Sequence, residues 1–178
     1  MSMVAAGFAC GCSVYDSRYI FDPAPADVAS ARPGAADQEP ARTLVSVVGV
    51  RRPDKESQLP AGVEIRLRVD NTSPYQVLFD SSSLVLTSAG MDRFPDPILH
   101  PADPVDLRPG DSAVIDACFP FPEGRTPQDM DLSGLGVRWT LVIDGQPVTS
   151  NAGFSRQPTG YYDRHRNRVG VGFQAYHY

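Results

Sequence analysis

In Val63-Glu64-Ile65-Arg66-Leu67-Arg68-Val69-Asp70 every odd position is aliphatic and every even one is charged. Successive side chains of a strand point to opposite faces, so this octet makes a strand with one dry face and one wet face. A helix would need apolar residues three or four apart, a spacing the octet violates. One-sided burial belongs to antiparallel sheets, and the dry face needs a second apolar layer to cover it. Arg66 and Arg68 are interleaved with Glu64 and Asp70, so the wet side reads as a solvated face and not as a basic binding stripe.

The rest of the chain supplies that layer in short pieces. Thr43–Arg51 is rich in β-branched residues and ends at Arg52-Pro53-Asp54. Tyr75–Phe79, Ser83–Thr87 and Met91–Phe94 are further strand-like runs, the last two flanking the hairpin loop Ser88-Ala89-Gly90. In Leu107-Arg108-Pro109-Gly110-Asp111-Ser112 the proline presets φ and Gly110 takes the positive φ of a type II turn. After it Ala113, Ile115, Ala117 and Phe119 alternate, and Pro120 ends the ladder. Leu135, Val137, Trp139, Leu141 and Ile143 form another alternating run with the single tryptophan on its apolar phase. Asp144-Gly145 then marks a tight hairpin before Gln146–Phe154. Four prolines between Pro95 and Pro104 confine that stretch to an irregular crossing or a sheet edge.

Strands recur every dozen or so residues with no amphipathic helix between them, which predicts an all-β antiparallel sandwich. The 17 prolines and 15 glycines fit many short elements joined by turns, and 178 residues suffice for one core with extended ends. A net charge of −5 excludes a polyanion binder as the role of the whole molecule, and no arginine cluster matches a phosphate-binding motif. No run approaches the roughly 20 apolar residues of a spanning helix.

The start of the chain places small residues, Ala9-Cys10-Gly11, ahead of Cys12, without a basic segment before them. This resembles the end of a bacterial lipoprotein signal, although Ala9 stands where leucine is usual. The resemblance implies diacylation of Cys12, with Cys10 as the other acceptor. Because Ser13 is not aspartate, it also implies an outer-membrane lipoprotein of the cell envelope, facing the periplasm or the outside. Acyl chains would supply membrane affinity without a spanning segment. Residues 22–42 hold mainly alanine, proline and small polar side chains, with Val28 their only branched apolar residue. They read as a flexible spacer, while Tyr15, Tyr19, Ile20 and Phe21 are apolar enough to pack back on the domain. The organisation expected is therefore a residual signal at 1–12, a tether at 13–42, a sandwich at 43–156 and a C-terminal tail at 157–178.

The tail carries a basic and aromatic cluster, Tyr161, Tyr162, Arg164, Arg166 and Arg168, then an alternating run through Val169, Val171, Phe173 and Ala175 that ends near Tyr176. The run reads as a strand added to this sandwich or to a neighbour. The cluster suits a protein partner or anionic headgroups, and an exported chain is not expected to meet nucleic acid. Tyr161, Tyr162 and Tyr176 also suit stacking on a carbohydrate or peptidoglycan strand, the alternative expectation. His100, His165 and His177 lack the spacing of a metal site, Cys118 lies mid-strand without a histidine beside it, and Ser81–Ser83 have no nucleophile elbow around them. No catalytic residue, metal or cofactor is expected.

The order of motifs resembles the bacterial extracellular immunoglobulin-like domains of unknown function, related in shape to telokin-like and water-stress sandwiches. It is carried by Val63–Asn71 with its Asn71-Thr72 turn, the Leu84–Phe94 hairpin, Leu107–Ser112, the Phe119-Pro120 strand end and the strand at Leu135. The resemblance covers roughly residues 43–156. It implies an immunoglobulin-like sandwich and supplies no catalytic residues. The function expected is a non-enzymatic, lipid-anchored envelope domain that binds another envelope protein.

Overall fold

The computed structural model describes residues 14–34, 39–53, 59–102 and 104–158. Among them there is no helix, and ten strands follow one another: β1 (Phe21–Asp22), β2 (Ala26–Ser30), β3 (Ala41–Arg51), β4 (Gly62–Asp70), β5 (Val77–Ser88), β6 (Ile98–His100), β7 (Val105–Leu107), β8 (Ser112–Pro120), β9 (Gly134–Ile143) and β10 (Gln146–Arg156). They form two five-stranded sheets, β1-β10-β9-β5-β7 and β2-β3-β4-β8-β6, in which every pairing is antiparallel. This is the immunoglobulin-like sandwich expected.

The two dry faces meet as the alternation predicts. Val63, Ile65, Leu67 and Val69 of β4 are fully buried, and Ile115 and Phe119 of β8 lie in the same core. The opposite sheet contributes Leu84 and Leu86 of β5 and Val137, Trp139, Leu141 and Ile143 of β9. Burying each such side chain is worth about 1.5–3 kcal/mol, so this shared interior is the main attraction between the sheets. Gly62 opens β4 because a Cβ there would sit 2.2 Å from the Phe119 carbonyl oxygen of the neighbouring strand.

The turns follow their sequence signals with one exception. Gly110 has φ 87°, and the Asp111 N–H donates to the Arg108 carbonyl (3.0 Å), giving the type II turn read from Pro109-Gly110. Asp144 (φ 51°) and Gly145 (φ 74°) both take the left-handed region that a two-residue hairpin needs. In the Ser88–Asp92 loop, however, the left-handed residue is Met91 (φ 65°) and not the adjacent Gly90.

Three features differ from the sequence reading. The runs at 75–79 and 83–87 are one strand, β5, whose register on β9 slips between Asp80 and Val85. The slip is held by Ser83, whose Oγ accepts the Thr140 N–H (2.7 Å) and donates to the Asp80 carbonyl (2.7 Å). Met91–Phe94 makes no full strand, only a bridge from Arg93 to Thr87 and a Phe94 N–H to Leu86 carbonyl bond (3.0 Å). The proline-rich stretch is the sheet edge its prolines allow: it holds β6, which edges one sheet, and leads into β7, which edges the other.

The third difference is a correction. Residues 13–42 were expected as a flexible tether, yet their described part belongs to the sandwich. β1 pairs with the end of β10, and the chain then changes sheets through Pro23 and Pro25 to run as β2 beside β3. Tyr19 and Phe21 lie in the hydrophobic core, and Ser30 Oγ meets Ser150 Oγ (2.7 Å) across the flank between the sheets. Alanine and proline suffice here because an edge strand borrows its ladder from a neighbour. Only Ala26 and Val28 of β2 pack on the core.

Candidate functional site

The residues singled out by sequence, Cys12, Tyr161, Tyr162, Arg164, Arg166, Arg168 and Tyr176, lie outside the described residues, as does the alternating run 169–176. The points where those segments join the sandwich are described. On the N-terminal side, Tyr15 bridges Arg51, the Asp16 N–H donates to the Val50 carbonyl (2.8 Å), and the Arg52 N–H donates to the Val14 carbonyl (3.0 Å). The Tyr15 ring lies on Gly49, where a Cβ would come 3.0 Å from Cδ1, so the close seat depends on that glycine. Its hydroxyl bonds to Glu64; burial, reinforced by this carboxylate, pushes the phenol up to about 12. Glu64 also accepts from Arg51 (3.1 Å), with both side chains almost fully covered. Tyr15 thus caps an ion pair on the outer face of β3 and β4.

Beyond it the chain turns, the Tyr19 N–H donating to the Asp16 carbonyl (3.1 Å). The buried Asp16 carboxylate accepts from Arg18 Nε and Nη2 (3.0 and 2.6 Å), and these bonds hold its pKa down at about 2 against the opposing effect of burial. The Arg156 guanidinium stacks 4.4 Å from the Tyr19 ring centroid and donates to the Arg18 carbonyl, while the Gln157 N–H donates to the Ile20 carbonyl (2.8 Å). The departing tail is therefore fastened to the entering strap.

A depression of about 860 Å³, open to solvent, lies at one end of the sandwich among Arg42, Arg68, Asp70, Asn71, Gly110 and Asp111. Several of its polar groups are already bonded. Asn71 Nδ2 donates to the Tyr75 and Leu107 carbonyls (2.7 and 3.0 Å), and its Oδ1 accepts from Ser73 N–H and Oγ (3.1 and 2.7 Å). Arg42 pairs with Asp27 and Arg68 with Asp70. Asn71 is a latch joining two turns to β7, a role the Asn-Thr turn signal did not reveal. Elsewhere His100 stands in register with Asp116, whose carboxylate already accepts from Arg66 (2.6 Å). Burial raises the pKa of Cys118, so it stays a protonated thiol at neutral pH. No group of three or more metal-ligating side chains occurs among the described residues.

The β1-β10-β9-β5-β7 sheet also offers open surface among the described residues. Its outer face holds a shallow hollow of about 420 Å³ bounded by Thr87, Arg93, Arg138, Asn151 and Gly153. Its edge is more distinctive. β1 pairs with only Ser155 and Arg156 of β10, so Gln146–Phe154 has β9 on one side and no strand on the other among the described residues. Thr149, Asn151 and Gly153 along that edge are exposed. No family model, no curated protein and no solved structure matches the chain.

Proposed function

We propose that the chain is an exported, lipid-anchored, non-catalytic domain of the bacterial cell envelope that binds another envelope protein by accepting a strand along β10. The observation that carries this reading is the unpaired edge at Gln146–Phe154. Nine residues in extended conformation offer alternate backbone N–H and C=O groups to an incoming strand, and main-chain bonds of this kind supply affinity without a deep pocket. Natural sandwiches blunt such edges with charge, bulges or short length. Here only Pro147 lacks a donor, and the run carries no charged side chain. The Asn151 amide lies beside the edge as a pairing contact, while Thr149 Oγ1 is already bonded to Thr140 Oγ1 of β9 (3.0 Å).

Anchoring at Cys12 fits the observed attachment, since Val14, two residues on, is already bonded to Arg52 just past the end of β3. Such an anchor would hold the sandwich near the bilayer, where a partner is another membrane-associated protein. Two measurements test the reading. Mass spectrometry of the protein isolated from its envelope should find a diacylglyceryl group on Cys12. A photo-crosslinking residue at Asn151 should trap one defined envelope protein that the same residue at Arg66, on the opposite outer face, does not. Equal labelling from both positions, or none, removes the edge as the binding site.

A further inference from the structure

The outer face of the β1-β10-β9-β5-β7 sheet carries two cations that no acid on that face matches. There Arg138 of β9 stands in register between Val85 of β5 and Asn151 of β10, and Gly136 stands between Thr87 and Gly153. Arg93 bridges Thr87 at the end of that second row. The hollow of about 420 Å³ at these residues adjoins another of about 320 Å³ that reaches Ser82, Thr140 and Thr149, and Arg93 and Arg138 border both. No acidic side chain lines either hollow. The Arg138 guanidinium has no ion pair or hydrogen bond among the described residues. Arg93 meets Asp96 at 3.5 Å, with both side chains mostly exposed.

The other sheet treats its arginines differently. Arg66 pairs there with Asp116 (2.6 Å), Arg68 with Asp70 (2.9 Å) and Arg42 with Asp27. Arg138 instead has Val85 and Asn151 beside it and Gly136 and Thr140 along its own strand, all neutral, in a protein at −5. A local excess of positive charge in an acidic protein favours an anionic ligand at that place. Gly153 points the same way. Its φ is not left-handed and a Cβ there would meet nothing within 4 Å, so neither conformation nor packing calls for glycine. A glycine inside a strand weakens it, and one reason for keeping it is the close approach of a ligand.

We propose that this face binds an acidic glycan, its sugar carboxylates held by Arg138 and Arg93 and a sugar ring lying over Gly136 and Gly153. The site is independent of any anchor and uses the face of the sheet, not the edge of β10. A guanidinium fork matches a carboxylate bidentately in a charge-assisted bond. β9 is bonded to β5 on one side and β10 on the other, so its main chain has nothing to offer a peptide. The groups at hand are the Asn151 amide and the paired hydroxyls of Thr140 and Thr149 (3.0 Å), which keep lone pairs for further bonds. These suit ring hydroxyls. No aromatic side chain lines either hollow, so a nucleic-acid base has no ring to stack on.

The test is isothermal titration calorimetry of the full chain with oligogalacturonate, set against a neutral maltooligosaccharide of the same length and a polyglutamate of the same charge. Only oligogalacturonate should bind, and more weakly at high salt. Arg138→Gln should weaken binding about tenfold or more by removing a charged hydrogen-bond donor. Gly153→Leu should abolish it, because the new side chain enters the hollow from a position where a Cβ meets no neighbouring atom within 4 Å. Arg66→Gln, on the opposite outer face, should leave it unchanged. Urea midpoints check that the variants are folded. Absence of oligogalacturonate binding, equal binding of polyglutamate, or unaltered affinity in folded Arg138→Gln or Gly153→Leu overturns the proposal. Displacement of the glycan by an equal concentration of inorganic phosphate does so as well, by assigning the arginines to a free anion. Arg138→Gln leaves the main chain of β10 untouched, so this result and acceptance of a strand at the edge fail separately.

Discussion

Thr43 Oγ1 and Trp139 Nε1 are buried without a hydrogen-bond partner, on strands of opposite sheets. A hydroxyl or indole N–H removed from water and left unbonded costs about 1–3 kcal/mol. Thr43 lies on β3 with its side chain fully buried, so valine offers the same shape, a higher strand preference and no orphaned oxygen. Thr43→Val is expected to raise stability by about 1 kcal/mol, seen as a higher urea midpoint at unchanged m-value. A lower midpoint would show that the hydroxyl has a bonded partner, such as an internal water, in solution. Trp139 illustrates what one residue can reveal. Its place in the alternation between Val137 and Leu141 announces a core position. The loss of its N–H partner depends instead on which strand faces it across the sandwich, and no local pattern encodes that.

At the scale of elements, what was legible is what repeats every second residue. β4, β8 and β9 each expose a full alternation, and Pro109-Gly110 and Asp144-Gly145 state their turns outright, so pattern and local chemistry agree. β1 and β2 escape the sequence reading because β1 is only two residues long and the Ala, Asp and Ser of β2 carry little strand preference of their own. Their pairing is lent by β10 and β3, which lie far away in sequence. β5 was read as two strands because Asp80–Ser83 reads as a turn, whereas the polar side chains bond locally and let the ladder resume. For the candidate site, the terminal clusters stood out by composition, whereas the fastening of residues 14–21 to β3 and β10 and the open edge of β10 are tertiary facts. The strap makes its own prediction. Ser30 and Ser150 form a buried pair joining β2 to β10, so Ser150→Ala should cost about 1–2 kcal/mol by stranding the Ser30 hydroxyl. Ser30→Ala/Ser150→Ala should recover most of that loss, a coupling that a double-mutant cycle in urea would measure. Additive losses would mean that the two hydroxyls are not paired and that the strap is held by its apolar contacts alone.

For the whole molecule, the N-terminal strap sets how stability depends on pH. Asp16 holds its folded pKa near 2, below its ordinary value of 3.8, because Arg18 bonds the carboxylate. Between those values the unfolded chain binds a proton that the folded chain does not, so stability rises with pH across the interval and is lost as pH falls towards 2. Asp129 and Asp131, lowered by bonds from Thr126 and Ser133, act in the same direction from exposed positions. At the other limit Tyr15 stays protonated to about 12 beneath Glu64, against 10.0 when free. There the folded chain keeps the proton that the unfolded chain has released, so stability falls as pH rises from 10 to 12. Both groups sit on the strap that fastens residues 14–21 to β3 and β10. Asp16→Asn should therefore flatten the acid limb of a plot of urea midpoint against pH, and Tyr15→Phe should flatten the alkaline limb. Each should leave the other limb unchanged, because the two side chains bond different partners: Arg18 for Asp16 and Glu64 for Tyr15. An acid limb as steep in Asp16→Asn as in the unaltered chain would show that the Arg18 contact does not persist in solution, and that the strap is held at low pH by Tyr19 and Phe21 in the core.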